Sequence, residues 1–419
     1  ESTGIAVSDK ESIKVHKGMV LIDDVFDEEN LKKLDGTIGI GHVRYSTAGE
    51  SNLLNAQPIS SKFKQGEIAV AHNGNLVNVD VLREMFEDLG YSFSTSSDSE
   101  VILKMIARAS KKGIEKAIED TIDAIKGSYA LTMIINDMLI GVRDPNGIRP
   151  LCLGKFEDGY VLASESCAFD TIGAEFIRDI EPGEIVIINS DGVKSINHNE
   201  RTIPNSCAFE YIYFARPDSI IDGISVHAAR RKAGGILWRE NPVDADVVIW
   251  VPDSGLDAAI GLSHASGITY DIGLMKNKYI GRSFILPDQR ARELAVNIKL
   301  NVVKEAVEGK RVIMIDDSIV RGTTSRQIVN LLRKAGATEV HMRISSPVVA
   351  YPCYFGIDTP YREDLIGANM SVKEMAQHLD VDSLSFLSVD GLYDSLDSKR
   401  SFCIGCLNGQ YPISVKIGN

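Results

Sequence analysis

A chain of 419 residues is too long for one ordinary core and points to two domains of about 200 residues each. Its 44% apolar and 25% charged content describes a globular protein, and no apolar run reaches the roughly 18 residues that cross a membrane. A formal charge of -13 argues against nucleic acid as the main partner, since that affinity rests on Lys and Arg neutralising phosphates, but leaves room for a small phosphorylated ligand at a local site.

Up to about residue 200 the chain alternates short β-rich runs with turn signals: GTIGIGHVRYST, GEIAVAHNGNL, SYALTMIIND, MLIGVRD, YVLASES and EIVIINSDG. Among them lie two amphipathic stretches, VDVLREMFEDLG and SEVILKMIARASKKGIEKAIEDTIDAIKG, each expected to be helical. Strands on both sides of a helical block predict layered α+β packing, two antiparallel sheets with helices against them. Cys152 and Cys167 fall in apparent β segments and are expected to be plain core or surface residues.

After about residue 205 the pattern changes to strand, helix, strand. VDADVVIWVPDSG is an apolar run into a Gly loop, LDAAIGLSHASG a helix, and ITYDIGLMK a further strand and loop. ARELAVNIKLNVVKEAVEGK reads as a helix, RVIMIDD as a strand, GTTSRQIVNLLRKAGA as a helix and EVHMRISSP as a strand. That alternation predicts a parallel sheet with right-handed crossovers. A helix at MSVKEMAQHL and a Cys403-Ile404-Gly405-Cys406 pair follow. With no secretion signal, the six cysteines are not expected to form a disulfide framework, and only the CxxC has ligand-like spacing, which redox pairs share.

Residues 312 to 324, VIMIDDSIVRGTT, carry the sharpest chemistry. Ligands of an open parallel sheet sit at the carboxyl ends of its strands, which is where Asp316 and Asp317 fall. The RGTTS that follows enters a helix, so its amides and hydroxyls can cradle a phosphate at the positive end of the helix dipole. Two carboxylates beside a phosphate suit a sugar phosphate with Mg²⁺. The bland alternative is an acidic strand end before a capped helix.

This stretch resembles the fingerprint of the type I phosphoribosyltransferases, which bind 5-phosphoribosyl pyrophosphate. CAFEYIYFARPDS, VPDSG, KNKYIGRSFILPDQRAREL, SSPVVAYPCYFGIDTP and the CxxC tail are similar, in order, to the glutamine phosphoribosylpyrophosphate amidotransferases, and HVRYST, HNGN and SSDSE match that family's glutaminase half. The resemblance covers essentially the whole chain. It implies an N-terminal nucleophile hydrolase αββα sandwich over 1–203, its start missing, and over 204–419 a type I phosphoribosyltransferase parallel-sheet domain with a cluster-binding tail. It also implies the first step of purine biosynthesis, in which glutamine, water and 5-phosphoribosyl pyrophosphate give 5-phosphoribosylamine, glutamate and pyrophosphate.

By the same resemblance Asp316 and Asp317 hold the ribose hydroxyls and, with Ser254, Mg²⁺. Arg321, Gly322, Thr323, Thr324 and Ser325 belong to the 5′-phosphate loop, and Pro252, Asp253, Ser254 and Gly255 face the pyrophosphate. Residues 276 to 292 resemble a lid whose Lys276, Lys278, Arg282 and Arg290 meet negative charge, against the alternative of a solvated basic loop. Arg44 pairs the glutamine carboxylate, Asn73 and Gly74 face the oxyanion, and Asp98 holds the α-amine. The family's nucleophile is a Cys at the mature N-terminus, yet no cysteine precedes Cys152. The polypeptide as written is therefore expected not to hydrolyse glutamine: either it is a fragment lacking its start, which the joint occurrence of Arg44, Asn73, Gly74 and Asp98 favours, or its glutaminase is dead and it uses free ammonia.

One family branch binds a [4Fe–4S] cluster, and its ligands match Cys207, Cys353, Cys403 and Cys406; zinc or four free thiols are the alternatives. The resemblance further implies a cytoplasmic homo-oligomer, a homotetramer, inhibited by purine nucleotides, with no nucleic-acid or membrane partner. Two other functions compete. A non-catalytic regulator that binds phosphoribosyl pyrophosphate needs neither a glutamine site nor a basic lid, and a hexosamine-forming amidotransferase needs a sugar-isomerase domain.

Overall fold

Alternating apolar residues in the first half pair into a six-stranded antiparallel sheet ordered β12-β11-β7-β6-β5-β4. Its strands are β4 (Ile59–Phe63), β5 (Gly66–Leu76), β6 (Gly127–Ile135), β7 (Met138–Arg143), β11 (Glu184–Asn189) and β12 (Gly192–Asn197). The computed structural model describes residues 2–44, 52–197, 204–277, 300–359, 361–396 and 400–415. One face of the sheet is covered by helices Val79–Asp88, Asp98–Ala109 and Ile114–Ala124. Leu82, Ile102, Ile106 and Ile118 recur at helical spacing and pack on Ile68, Val70, Leu131 and Met133. The second predicted amphipathic stretch is thus two helices, broken at Gly113, whose φ of 98° no helix continues.

The other face is covered by a layer split in two. β2 (Ile13–Gly18), β1 (Ser2–Ser8) and β3 (Ile38–Arg44) form one three-stranded sheet, and β10 (Glu175–Asp179), β8 (Cys152–Phe156) and β9 (Gly159–Ala163) form another. Ala6 and Ile40 pack on Ala69, Ala71 and Ile134, while Leu151 and Leu153 pack on Ala130 and Val186. Cys167 is not in a strand: it opens a short helix, Cys167–Ile172, against β10. Cys152 does lie in β8, where its thiol bonds to the Ala163 carbonyl at 3.2 Å.

The second half centres on a parallel sheet ordered β16-β19-β20-β21, from Val247–Trp250, Arg311–Asp316, Glu339–Ile344 and Ser383–Phe386. β16 and β19 read as unbroken apolar runs because crossover helices bury both faces. These helices include Leu256–Ser266, Thr323–Lys334 and Val372–Leu379, the last opened by a capping box of Ser371 and Glu374, while Val226–Glu240 packs on Leu256–Ser266. The helix predicted over 291–310 is not found where the residues are described. Leu300–Val302 is strand β18, paired with β17 (Leu274–Lys276), and only Lys304–Val307 is helical. Pairing with β17 overrides the apolar spacing there, since Leu300 and Val302 meet partners on a ribbon rather than along a helix face.

The halves meet around two arginines. Arg143, at the end of β7 and 1% exposed, reaches Asp222 in a fork of 2.8 and 2.9 Å. Asp222 turns the small hairpin β14–β15 (Ile220–Ile221, Ile224–Ser225). Arg149 reaches buried Glu210 at 2.6 Å. β13 (Asn205–Cys207) then lies parallel to β22 (Ser401–Cys403), fastening the tail beside the junction. Replacing Asp222 by Asn keeps the shape and removes the charge, leaving Arg143 buried without its counter-ion. Loss of stability in urea unfolding is expected at about 3 to 5 kcal/mol, as for other buried pairs with one partner removed. A loss under about 1 kcal/mol would show that the carbonyls around Arg143 suffice.

Candidate active sites on the two halves

β5 carries the HNGN sequence into the interior of the first half, in register with β6: Asn73 faces Ala130, Gly74 faces Tyr129 and Asn75 faces Ser128. Gly74 has φ 142°, and a Cβ there would collide with the Ser128 carbonyl, so the close approach of β6 requires glycine. Asp98 stands at the first turn of helix Asp98–Ala109, whose positive end favours a carboxylate. Its Oδ2 accepts from Leu76 N at 3.1 Å and its Oδ1 faces His72 Nδ1 at 3.3 Å. Burial opposes charge on both partners. Their mutual attraction prevails, so His72 titrates above its ordinary value and Asp98 below.

Arg44, at the end of β3, is buried; burial lowers its pKa while the nearby Asp98 carboxylate counters. Asp98 and Arg44 therefore face one region, as the sequence suggests; Tyr45, Ser46 and Thr47 of HVRYST lie outside the described residues. A groove of about 300 Å³ opens beside Asn73. Its walls are Gly39–His42 of β3 and Tyr160–Ala163 of β9, and its floor includes Ala71, Asn73, Ala130 and Thr132. Both walls are edge strands, since β3 pairs only with β1 and β9 only with β8 among the described residues. His42 lines this groove with a buried Nδ1 that has no partner; burial, then the His72 charge, pushes its pKa down to about 4.

In the second half β19 ends at Asp316 and Asp317 follows it, both buried. Asp316 accepts from the Asp317 amide at 2.9 Å, and Asp317 accepts from Ser254 Oγ at 2.6 Å and Ser318 Oγ at 2.7 Å. Burial and then the Asp317 charge push Asp316 well above the carboxylate range, so the pair is short of positive charge. Val251 N donates to Ile315 O at 2.8 Å, setting the 252–255 loop against this strand end. Gly322, at φ 77°, turns the chain into helix Thr323–Lys334, whose N-terminus has no side-chain cap. Thr323 and Thr324 are exposed there and Ser325 is buried. The first-turn amides thus stand without a side-chain cap in the segment that follows the two carboxylates.

Two of the predicted basic groups hold carboxylates. Lys276 Nζ pairs with Asp253 at 2.7 Å, and Arg321 with Asp364 at 3.0 Å. Lys278, Arg282 and Arg290, with the rest of the lid predicted over 276–292 from residue 278 on, lie outside the described residues. Sequence reasoning missed Asp364, Asn75, Ser128 and the His42–His72 pair. Asn75 and His72 stand within HNGN itself, but nothing in spacing shows what they touch.

Cys207 and Cys403 face each other across β13 and β22, the Cys406 carbonyl accepts from Ala350 N and Tyr351 N, and all four thiols border one core cluster. Burial raises every one, Cys403 to about 12. Arg149 and backbone amides act against it: Phe355 N approaches Cys353 Sγ at 3.4 Å.

Fold and sites together define a glutamine amidotransferase joined to a type I phosphoribosyltransferase. The glutamine amidotransferase domain family matches residues 42–171. An amidophosphoribosyltransferase of Archaeoglobus fulgidus is 51% identical over 420 residues, covering 99% of this chain and 92% of the relative. That of Bacillus subtilis is 48% identical over 421 residues, covering 99% and 88%. The solved glutamine phosphoribosylpyrophosphate amidotransferase of B. subtilis, complexed with ADP and GMP, superposes with a TM-score of 0.94 over 100% of this chain and 92% of that one. The chain belongs to the amidophosphoribosyltransferase family. It is a glutamine-dependent pentosyltransferase of the first step of purine biosynthesis.

The His72–Asp98 pair makes the first half pH-dependent. A histidine whose folded pKa lies above its unfolded 6.5 stabilises fully below 6.5 and loses that contribution as pH rises through the folded value. The stability gap between the native protein and His72→Gln should be fully present below about pH 6.5 and narrow as pH rises above it. A gap that widened with pH would mean the imidazole is neutral when folded.

Proposed function

We propose that the two halves act in series, with roles carried by the residues just described. Arg44 pairs the α-carboxylate of glutamine and Asp98 its α-ammonium, while a thiolate adds to the side-chain amide. The oxyanion that forms is met by the Asn73 amide group and the Gly74 N–H. Ammonia leaves, and water cleaves the glutamyl thioester to glutamate. In the second half the ammonia lone pair attacks C1 of 5-phosphoribosyl pyrophosphate, the C1–O bond breaks with its electron pair passing to pyrophosphate, and the new amine sheds one proton. Thr323, Thr324 and Ser325 hold the 5′-phosphate with the helix amides, and Asp316 and Asp317 take the ribose hydroxyls. The observation that carries this is the pair of buried carboxylates directly before an uncapped helix N-terminus, next to the 252–255 loop.

Asp316, Asp317 and Ser254 suit Mg²⁺, because the carboxylate pair lacks positive charge. That ion, when bound, draws charge from the departing pyrophosphate. Asp253, freed from Lys276, and Gly255 border the same anion, and Lys276, Arg282 and Arg321 offset its charge.

The thiolate is not Cys152, whose thiol is pushed up by burial and spent on Ala163 O. We read the groove between β3 and β9 as the seat of an extended strand that brings a cysteine to Asn73, since both walls offer unpaired strand edges.

Cys207, Cys353, Cys403 and Cys406 fit a [4Fe–4S] cluster. Arg149 opposes the effect of burial on Cys207, Cys353 and Cys403, and backbone amides do so at Cys353 and Cys403; four thiolates are the usual complement of such a cluster, with zinc the chemical alternative. Such a cluster would tie the junction, the 353 loop and the tail together. No helix among the described residues is long and apolar enough to cross a membrane. We place the enzyme in the cytoplasm as a homo-oligomer, a homotetramer, inhibited by purine nucleotides, in line with the B. subtilis relative complexed with ADP and GMP.

Two substitutions separate the halves. Asp317→Asn should lower both glutamine- and ammonia-driven formation of phosphoribosylamine by about a hundredfold or more. Arg44→Ala should lower only the glutamine-driven reaction. Equal losses from Arg44→Ala would place that residue outside the glutamine site. Anaerobically purified protein should carry about four iron and four sulfide per chain, and iron absent from it would withdraw the cluster.

A further inference from the structure

The strand that offers Asn73 and Gly74 is clasped, one residue further on, by the other half of the molecule. Asn75 Nδ2 donates to the Tyr354 carbonyl at 2.9 Å, and Ser128 Oγ donates to the Phe355 carbonyl at 2.8 Å. Asn75 and Ser128 are paired partners on β5 and β6, so two consecutive carbonyls of the second half engage both sides of one rung. Ser128 is fully buried and makes three more contacts toward the glutamine site. Its hydroxyl accepts from Asn75 N at 3.3 Å, its carbonyl meets His72 Nε2 at 3.3 Å, and the same carbonyl is what bars a side chain at Gly74. Displacing Ser128 therefore displaces the Gly74 amide and the His72–Asp98 pair together.

The loop that supplies the carbonyls is itself held firmly. Tyr354 and Phe355 pack on Tyr411 at ring separations of 5.1 and 6.0 Å, and the Tyr411 hydroxyl donates to Pro352 O at 2.6 Å. Cys353 N donates to Thr359 O at 3.2 Å, and Thr359 N to Ile357 O at 2.8 Å. At Gly356, φ 104°, a Cβ would run into the buried Arg149 guanidinium. The loop is a rigid abutment of the second half pressed against the oxyanion strand of the first.

We propose that Asn75 and Ser128 are positioning residues for glutamine hydrolysis, through which the 353–357 loop of the phosphoribosyltransferase half sets the placement of the Asn73 and Gly74 donors. This rests on the reading of Asn73 and Gly74 as the oxyanion donors. Neither Asn75 nor Ser128 needs to touch glutamine: an oxyanion donor moved by a fraction of an ångström loses most of its effect because charge develops at one fixed point.

The test uses the full native enzyme, with glutamine-driven and ammonia-driven synthesis measured side by side. Ser128→Ala removes the hydroxyl, and Asn75→Asp keeps the shape but turns a donor toward Tyr354 O into an acceptor. Each should lower kcat with glutamine about tenfold or more, with KM for glutamine within about twofold and the ammonia-driven rate unchanged. The ammonia-driven rate reports folding of the second half, and Ser128→Thr, which keeps the hydroxyl, should restore most of the glutamine-driven rate. Equal loss of both activities, or a change in KM alone, would overturn the proposal, as would full activity in both variants. Asn73→Ala, run alongside, checks the oxyanion reading itself: if glutamine turnover survives it, that reading fails, whereas its loss with Ser128→Ala fully active fails the positioning role alone.

Discussion

Burying a guanidinium without a counter-ion is among the costliest things a protein interior can do, and this molecule buries two within seven residues of each other. Arg143 and Arg149 bracket a turn organised by Asp144, whose carboxylate accepts amides from Tyr129, Asn146, Ile148 and Arg149. Arg143 then needs Asp222 and the carbonyls of Gly147, Arg149 and Ile180; Arg149 needs Glu210. Asp222 and Glu210 come from the second half, so the charges can be satisfied only when the halves are docked in one orientation. That docking brings β13 to β22, with Cys207 opposite Cys403, and the 353–357 loop against β5 and β6.

The two sites handle buried charge in opposite ways. In the first half Asp98 is balanced by His72 with Arg44 nearby, and the strand bearing Asn73 and Gly74 is fixed by register before any substrate arrives. Such a site suits a reaction whose charge appears only in the transition state, because fixed donors need no reorganisation at that moment. In the second half Asp316 and Asp317 lie side by side with hydroxyl and amide partners, while Lys276 and Arg321 are held by Asp253 and Asp364. That arrangement suits a highly charged ligand brought in with a cation, which exchanges those exposed ion pairs at little cost, since each contributes only about 1 kcal/mol or less.

Much of both halves was legible because local patterns reported it. The apolar runs ending in Asp316–Asp317 and in the 252–255 loop mark buried parallel strands, and HNGN and SSDSE carry Asn73, Gly74 and Asp98 to one site. Where local patterns and tertiary pairing disagreed, pairing won. The apolar spacing over 291–310 suggests a helix, yet Leu300–Val302 joins β17 as a strand. Cys167 sits among β-rich residues, yet it opens a helix against β10.

Sequence by itself determined the strand and helix pattern of each half, because periodicity acts over a few residues, and the resemblance its motifs carry pointed to the family. Only the tertiary structure decided that Asn75 meets Tyr354, that Ser128 meets Phe355 and that Cys207 stands opposite Cys403. These contacts join residues up to 279 positions apart and follow from how two cores dock to satisfy Arg143 and Arg149. No window along the chain contains both partners of such a contact, so none could announce it.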